Sequence, residues 1–286
     1  MPRHTTPRVT CHTCPHHCQL AAGQRGRCRA RRNVAGTIEA ENYGRITSLA
    51  LDPVEKKPLA RFMPGSFVLS VGSYGCNLTC PFCQNHEIAQ ADAHDVPWRD
   101  IAPDKLVRMA CELRREDARV VGLAYTYNEP LVGWEYVRDC AEAAHEMGLV
   151  NVLVSNGVAE ARVIDELAPL IDAANIDLKG FDGSGARGAE IYRSLGAGTC
   201  GYAAATRTIA LLAACPTCHL EVTTLIVPGM TDRDDVIDAA ARWLATLGPD
   251  ITYHLTRFFP RWHMTDRDAT PVRQVYHLAG VAREHL

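Results

Sequence analysis

The feature that most constrains this chain is a set of three cysteines at C-x3-C-x2-C spacing, Cys76, Cys80 and Cys83. The run 67–74 just before them is apolar enough for a buried strand, so the thiols should lie on a loop at its carboxyl end. A cubane iron–sulfur cluster takes four ligands, usually thiolates. Three local thiolates therefore predict a [4Fe–4S] cluster with one iron open to another ligand. Zinc, with His86 as the fourth ligand, and reduced structural cysteines are the alternatives.

Composition narrows the classes of protein to consider. The chain has 286 residues, of which 47% are hydrophobic, enough for one sizeable core. A net charge of -3 argues against nucleic-acid binding, and no apolar run is long enough to span a membrane. The first eight residues are basic but lack an apolar segment, so we expect no signal peptide and a cytoplasmic location. Without export, the 12 cysteines favour metal or catalytic roles over disulfides.

A second set of cysteines lies near the start of the chain, in the pattern Cys11-x2-Cys14-x3-Cys18-x9-Cys28. A segment this short cannot bury a core, so a bound metal would supply its stability. Four thiols are the commonest structural zinc set, and an auxiliary iron–sulfur cluster is also chemically possible. We therefore predict a Cys-rich module with a second metal site that holds zinc or a cluster.

The rest of the chain divides by pattern. Short strands at 34–38 and 44–51 belong to a connector that packs against the barrel entrance. After it, short apolar runs alternate with amphipathic helical stretches in about six βα units, fewer than the eight of a closed barrel. The fold class is therefore α/β, a partial (β/α)6 barrel with a small Cys-rich module. The predicted domains are 1–33 (Cys-rich module), 34–66 (connector), 67–258 (partial barrel) and 259–286 (C-terminal extension).

Polar side chains follow several of the predicted strands. The carboxyl ends of parallel strands meet at one end of a barrel, which is where the sites of such proteins lie. The predicted barrel strands cover 67–74, 120–125, 149–154, 174–178, 219–227 and 251–255. We expect the polar groups that follow or end these strands to converge with the cysteine loop: Asn128, Glu129, Ser155, Asn156, Asp177, Lys179 and His254.

The C-x3-C-x2-C motif, with Phe82 before its last cysteine, resembles that of the radical S-adenosylmethionine (SAM) enzymes. The resemblance implies an open barrel of six units, and a [4Fe–4S] cluster and SAM as cofactors. In that family the open iron binds SAM, and an electron from the cluster splits SAM into methionine and a 5′-deoxyadenosyl radical.

The polar groups of SAM suggest partners for the residues at the strand ends. Asn128 or Glu129 would accept a hydrogen bond from the amino group, and Lys179 would pair with the carboxylate. Ser155 and Asn156 would bind the ribose hydroxyls. The alternative is that these strand-end residues only cap loops and helices.

Longer segments resemble the radical SAM enzymes of the AmmeMemoRadiSam system, relatives of the pyruvate formate-lyase activating enzymes. In those relatives the end of the fourth strand and a histidine of the sixth face SAM, which implies that role for Asp177, Lys179 and His254. The resemblance also implies AMMECR1-like and Memo-like partner proteins, with flavodoxin or ferredoxin as the electron donor. The matching segments are 52–59, 75–85, 125–130, 155–157, 176–179, 221–229 and 257–260.

These observations predict a radical SAM enzyme that abstracts hydrogen from a substrate the sequence does not identify. A glycyl-radical-enzyme activase is one variant of this function. A zinc-stapled binding protein without catalytic activity is the alternative of a different class. The pair Cys215 and Cys218, at C-x2-C spacing between a helix and the fifth strand, is interpreted as structural.

Overall fold

A computed structural model of the protein describes residues 8–286. Residues 1–7, most of the basic start on which the expectation of no signal peptide depends, lie outside the described residues. Within the described range, no helix has both the length and the apolar character needed to cross a membrane.

The structure alternates strands and helices over most of its length. The strands are β1 (Val9–Thr10), β2 (Gln19–Leu20), β3 (Arg31–Val34), β4 (Thr37–Ala40), β5 (Arg45–Ile46), β6 (Ser48–Pro53), β7 (Phe67–Gly72), β8 (Arg99–Asp100), β9 (Val120–Tyr125), β10 (Val150–Ser155), β11 (Ala173–Asp177), β12 (His219–Ile226) and β13 (Thr252–Arg257). The α-helices are α1 (His86–Ala89), α2 (Pro103–Glu116), α3 (Trp134–Glu146), α4 (Ala161–Leu167), α5 (Ala186–Ser194), α6 (Gly201–Ala213), α7 (Asp234–Leu247) and α8 (Val272–Ala282).

A seven-stranded sheet in the order β13-β12-β11-β10-β9-β7-β6 forms the centre of the molecule. Its six strands from β7 to β13 are mutually parallel, and β6 pairs antiparallel with β7 at one edge. The helices between successive parallel strands are the crossovers that parallel pairing requires. The predicted partial (β/α)6 barrel is therefore confirmed.

Alternation along each strand separates two apolar layers. Leu69, Leu123 and Leu153 belong to the large core between the sheet and the helices. Their sequence neighbours point to the opposite face, where Val68 and Ala124 help to line the barrel interior. Both faces of the parallel strands are thus covered, which explains their almost continuous apolar sequences.

The region before the barrel differs in detail from the prediction. The strand predicted over 34–38 is wrong, because Ala35 and Gly36 adopt positive φ angles of 50° and 99° and form the turn between β3 and β4. That hairpin crosses the boundary predicted between residues 33 and 34.

The connector after β6 closes the amino-terminal end of the barrel. The Pro58 carbonyl accepts a hydrogen bond from Asn175 at 2.8 Å, and Leu59 is fully buried. The backbone N–H groups of Ala60 and Arg61 donate to the carboxylate of Glu221, near the start of β12. The connector therefore lies opposite the cysteine loop and not at the barrel entrance as predicted. We call this closed end, lined by residues 52–62 and Glu221, the floor.

Candidate functional site

The cysteine loop connects the carboxyl end of β7 to α1, as predicted. Cys76, Cys80 and Cys83 are free thiols, and Cys80 is the most buried of the three. Gly75, at φ 92°, passes so close to the N-terminal module that a Cβ there would lie 2.5 Å from the carbonyl oxygen of Cys28. Only glycine fits this position, so the module and the loop are packed directly against each other.

Asn128 holds the start of the loop in place. Its side-chain nitrogen donates to the carbonyl oxygens of Tyr74 and Gly75 at 3.2 and 3.0 Å. Its side-chain oxygen accepts from the N–H of Ser73 at 2.9 Å. The side chain proposed for the SAM amino group is therefore engaged with the backbone that leads into Cys76.

Glu129 is a buried carboxylate, 3% exposed, at the carboxyl end of β9. It accepts hydrogen bonds from Ser155 Oγ at 2.7 Å, from the N–H of Asn156 at 2.9 Å and from the N–H of Leu131 at 3.0 Å. Burial raises the pKa of Glu129, and these three donors oppose that rise. Glu129 and Ser155 therefore bind each other and tie the ends of β9 and β10 together.

Asn156 connects this network to the cysteine loop. Its Nδ2 lies 3.0 Å from Asn77 Oδ1 and 3.7 Å from Cys76 Sγ, while its Oδ1 accepts from the N–H of Val158. Asn77, only 1% exposed, also donates to the carbonyl oxygen of Val158. The predicted residue Asn156 thus lies at the thiols, beside a residue that the prediction missed although it is inside the motif.

Asp177 and Lys179 form an ion pair at the end of β11, with Nζ and Oδ2 2.8 Å apart. The Lys179 side chain is 16% exposed and that of Asp177 is 41% exposed. Burial lowers the pKa of the Lys179 ammonium, but Asp177 and the nearby Cys80 outweigh this effect and raise it. Lys179 is therefore a firmly charged cation, and its charge acts to lower the pKa of the thiols of Cys80 and Cys83.

The three thiols lie in surroundings that suit a metal better than free thiolates. Burial raises the pKa of Cys80 to about 11 and also raises those of Cys76 and Cys83. Without a metal these thiols stay protonated near neutral pH, and metal binding would release their protons. The N–H of Leu78 points at Cys76 Sγ at 3.4 Å, a contact that favours the thiolate form. The residues of the loop therefore fit a thiolate-bound cluster.

His254 is not brought to this group. The strand β13 runs from Thr252 to Arg257, two residues past its predicted end. His254 is therefore the third residue of the strand and does not lie at its carboxyl end. The imidazole Nε2 bonds to Oε2 of Glu221, and the Nε2 of His219 lies 2.8 Å from the other carboxylate oxygen. The ring of His254 is thus engaged on the floor side in this structure, and its contact with SAM stays a prediction.

Four other cysteines lie in the N-terminal module. Cys11, Cys14 and Cys28 are buried, Cys18 is half-buried, and all are free thiols. The strands β1 and β2 pair with each other, and next to them the N–H of Cys11 donates to the carbonyl oxygen of Cys18 at 2.9 Å. Across residues 8–286, no three or more histidine, cysteine or acidic side chains converge on the position of one metal ion. This finding applies both to the cysteine loop and to the N-terminal module.

Sequence reasoning missed the segment after β13, which returns to the cysteine loop. The N–H of His263 donates to the Pro81 carbonyl at 2.9 Å, and Trp262 stacks on His86 with centroids 5.1 Å apart. Phe258 meets Phe82 edge-on. The segment 257–260 was recognised in the sequence by its resemblance, but that resemblance did not predict this contact. Cys215 and Cys218 lie between α6 and β12, at the opposite end of the barrel from the mouth.

An open parallel barrel with three free thiols at its mouth defines a class of cluster-binding barrel proteins. The sequence model of the Radical SAM superfamily matches residues 70–241. The chain is also 35% identical over 278 residues to the uncharacterised protein MJ0808 of Methanocaldococcus jannaschii, an alignment that covers 97% of this chain and 78% of the relative. The protein therefore belongs to the radical SAM superfamily, whose cofactors are a [4Fe–4S] cluster and SAM.

Solved structures share the fold. SuiB of Streptococcus suis bound to S-adenosylmethionine superposes with a TM-score of 0.53 at 11% identity, covering 76% of this chain and 48% of that chain. A radical SAM methyltransferase from Sphaerobacter thermophilus gives a TM-score of 0.51 at 17% identity, covering 78% of this chain and 64% of that chain. At these identities the likeness concerns the fold alone.

Proposed function

We propose that this protein is a radical SAM enzyme of the AmmeMemoRadiSam type. It cleaves SAM reductively and uses the 5′-deoxyadenosyl radical to abstract hydrogen from a substrate. The observation that carries this proposal is the loop of three free thiols after the first parallel strand, with the positive charge of Lys179 near enough to lower the pKa of two of them. Family membership supports the chemistry in general, and this loop supports it in this chain.

Cys76, Cys80 and Cys83 are assigned as the ligands of the [4Fe–4S] cluster. When bound, the cluster supplies the electron that breaks the bond between the SAM sulfur and C5′. Lys179 and Asp177 offer a cation and a half-exposed carboxylate that match the carboxylate and ammonium of SAM. On SAM binding, the bond between Lys179 and Asp177 would break. Lys179 would then bind the SAM carboxylate, and Asp177 would bind the SAM ammonium.

The other assigned residues act on SAM mainly through position. Asn128 fixes the backbone before Cys76, and Glu129 fixes Ser155 and Asn156. Asn156 remains close enough to the thiols to contact SAM beside the cluster. We therefore assign direct contacts to Asn156, Asp177 and Lys179. Asn128 and Glu129 are assigned as positioning residues. Ser155 is assigned both a contact with SAM and a positioning role, because its hydroxyl donates to Glu129.

The closed floor directs the substrate to the mouth. Val54 and Leu59 of the connector are fully buried among Val68 and Ala124 of the barrel interior. A radical formed at the mouth is thereby shielded from water entering through the opposite end. The substrate must therefore approach from the side of the cysteine loop, where the segment after β13 also lies.

The resemblance of segment 52–59 supports assignment to the AmmeMemoRadiSam system and, with it, AMMECR1-like and Memo-like partners. Within that segment Asp52 and Lys57 form a buried ion pair at 2.7 Å, and the Tyr127 hydroxyl donates to Asp52. The segment that marks the subfamily thus builds the floor. A flavodoxin or ferredoxin is the proposed electron donor.

The test is anaerobic purification, followed by iron and sulfide analysis and an assay of 5′-deoxyadenosine with dithionite and SAM. We expect SAM cleavage in the native protein and its loss in Cys80→Ala, because three thiolates are needed to hold the cluster. Cys200→Ala is the matched control, since Cys200 is exposed and belongs to neither cysteine set. A protein that binds zinc alone and never cleaves SAM would contradict the proposal.

A further inference from the structure

The N-terminal module takes no part in the SAM cleavage proposed for the cysteine loop. It lies directly against the cysteine loop at two points. Gly75 fits under the carbonyl oxygen of Cys28, and the Nε2 of His16 lies 2.9 Å from the carbonyl oxygen of Asn77. Since Asn77 follows Cys76 directly and His16 lies between Cys14 and Cys18, this second contact joins the two cysteine sets.

One thiol of the module accepts a hydrogen bond from a backbone donor suited to a thiolate. The N–H of Arg27 donates to Cys18 Sγ at 3.5 Å. Hydrogen bonds of this kind stabilise the charged form of sulfur. Leu78 makes the same contact with Cys76 in the loop.

Two further donors at the module have no acceptor among the described residues, the hydroxyl of Thr13 and Nε of Arg31. Thr13 is 2% exposed and Arg31 is 4% exposed, so each unmet donor is costly. The charge of Arg31 acts on Cys11 and Cys28. A zinc ion brings no acceptors beyond its thiolates, whereas an iron–sulfur cluster adds sulfides that accept hydrogen bonds. The unmet donors therefore favour a cluster.

We propose that the module binds a [4Fe–4S] cluster that passes electrons to the cluster of the cysteine loop, with the ligands Cys11, Cys14, Cys18 and Cys28. The loop cluster is the one assigned under the proposed function, and the relay rests on that assignment. In the step, one electron from a reduced flavodoxin or ferredoxin oxidises that donor and reduces the module cluster. The same electron then reduces the loop cluster and returns the module cluster to its oxidised state, with no bond formed or broken.

Metal content of a loop variant tests the site without relying on activity. The triple variant Cys76→Ala, Cys80→Ala, Cys83→Ala leaves the module intact. We expect about eight irons per chain in the native protein and about four in this variant. After dithionite reduction, the variant should show an electron paramagnetic resonance signal that does not change with SAM. The double variant Cys215→Ser, Cys218→Ser is the matched control and should keep all its iron.

Zinc without iron in the triple variant, or no metal, would overturn the proposal. Failure of the proposed function gives a different result. In that case the triple variant keeps its iron, and the native protein makes no 5′-deoxyadenosine and shows no response to SAM.

The relay is tested on the native protein by rapid freezing after mixing with reduced flavodoxin. The SAM-insensitive signal of the module should appear first, followed by the SAM-sensitive signal of the loop. The reverse order would refute the relay. Cys18→Ser, at the half-exposed ligand, should lose 5′-deoxyadenosine formation with flavodoxin and keep it with dithionite. Equal loss with both reductants, in a variant whose melting temperature is unchanged, would also refute it.

Discussion

The two ends of the barrel use ionisable side chains in opposite ways. At the mouth, Asp177 and Lys179 are partly exposed, so their ion pair is accessible to a ligand. At the floor, Lys57 is 2% exposed and Glu221 is fully buried, and both are fully engaged within the protein. The comparison teaches that charged side chains in this fold are left accessible at the open end and are used for closure at the other.

The comparison predicts its largest effect at the floor. Lys57→Met leaves Asp52 buried without its buried cation, which costs about 3–5 kcal/mol of unfolding free energy. Urea unfolding of the anaerobic protein at pH 7 measures the loss. Lys56→Met, which removes the more exposed partner of the same carboxylate, is the control and should cost much less. Equal costs for both variants would break the distinction between the buried and exposed pairs.

Glu221 gives the floor a predicted dependence on pH. Burial raises its pKa, but hydrogen bonds from His254, Ala60 and Arg61 outweigh burial and lower the pKa to about 2. A lowered pKa means that stability is present above the unfolded pKa and is lost as pH falls towards 2. Glu221→Gln should therefore cost about 3 kcal/mol at pH 7.

The difference between the Glu221→Gln variant and the native protein should shrink as pH falls below about 4.5. Thermal unfolding at several pH values measures this difference. A gap that stays constant down to pH 3 would show that the carboxylate charge contributes nothing to closure.

At the mouth the expected effect is on ligand binding and not on stability. Lys179→Met removes the cation assigned to the SAM carboxylate and should weaken SAM binding by about 10–100-fold. The unfolding midpoint should change little, because Asp177 is 41% exposed and can be hydrated. Calorimetric titration of the reconstituted protein with SAM measures the affinity. Unchanged affinity would show that Lys179 does not bind SAM and acts only on the charge state of the thiols.

The smallest predicted effect concerns Tyr127, which joins the two ends. Its backbone lies after β9 at the mouth, and its hydroxyl donates to Asp52 at the floor. Tyr127→Phe should cost about 1.5 kcal/mol of stability, the value of a hydrogen bond to a charged group. The iron content should not change. A larger loss of iron than of stability would show that the floor also supports the cysteine loop.

Much of the fold and the centre of the site could be predicted from the sequence because their signals are local. The apolar runs identified all six parallel strands, and the spacing of Cys76, Cys80 and Cys83 identified the loop. Parallel strands then dictate that Asn156, Asp177 and Lys179 lie at the same end as the thiols.

The partners of individual side chains could not be predicted, because they depend on register and on segments far apart in the chain. His254 was expected at the mouth, but its ring bonds to Glu221, two residues before Thr223, its partner in the pairing of β12 with β13. Glu129 was expected to be free for a ligand, yet Ser155 and Asn156 take its oxygens. Nothing local in the sequence predicts that His16 contacts the backbone of Asn77.

The contact at Gly75 imposes an order on the maturation of this protein. The carbonyl of Cys28 and the side chain of Ala30 form the surface against which residue 75 settles. During synthesis the module leaves the ribosome before the barrel, so it is available as a template when the loop emerges. The loop can take up its final backbone path only against a module that is already folded. The order in which the two segments are synthesised is therefore also the order in which they can be built.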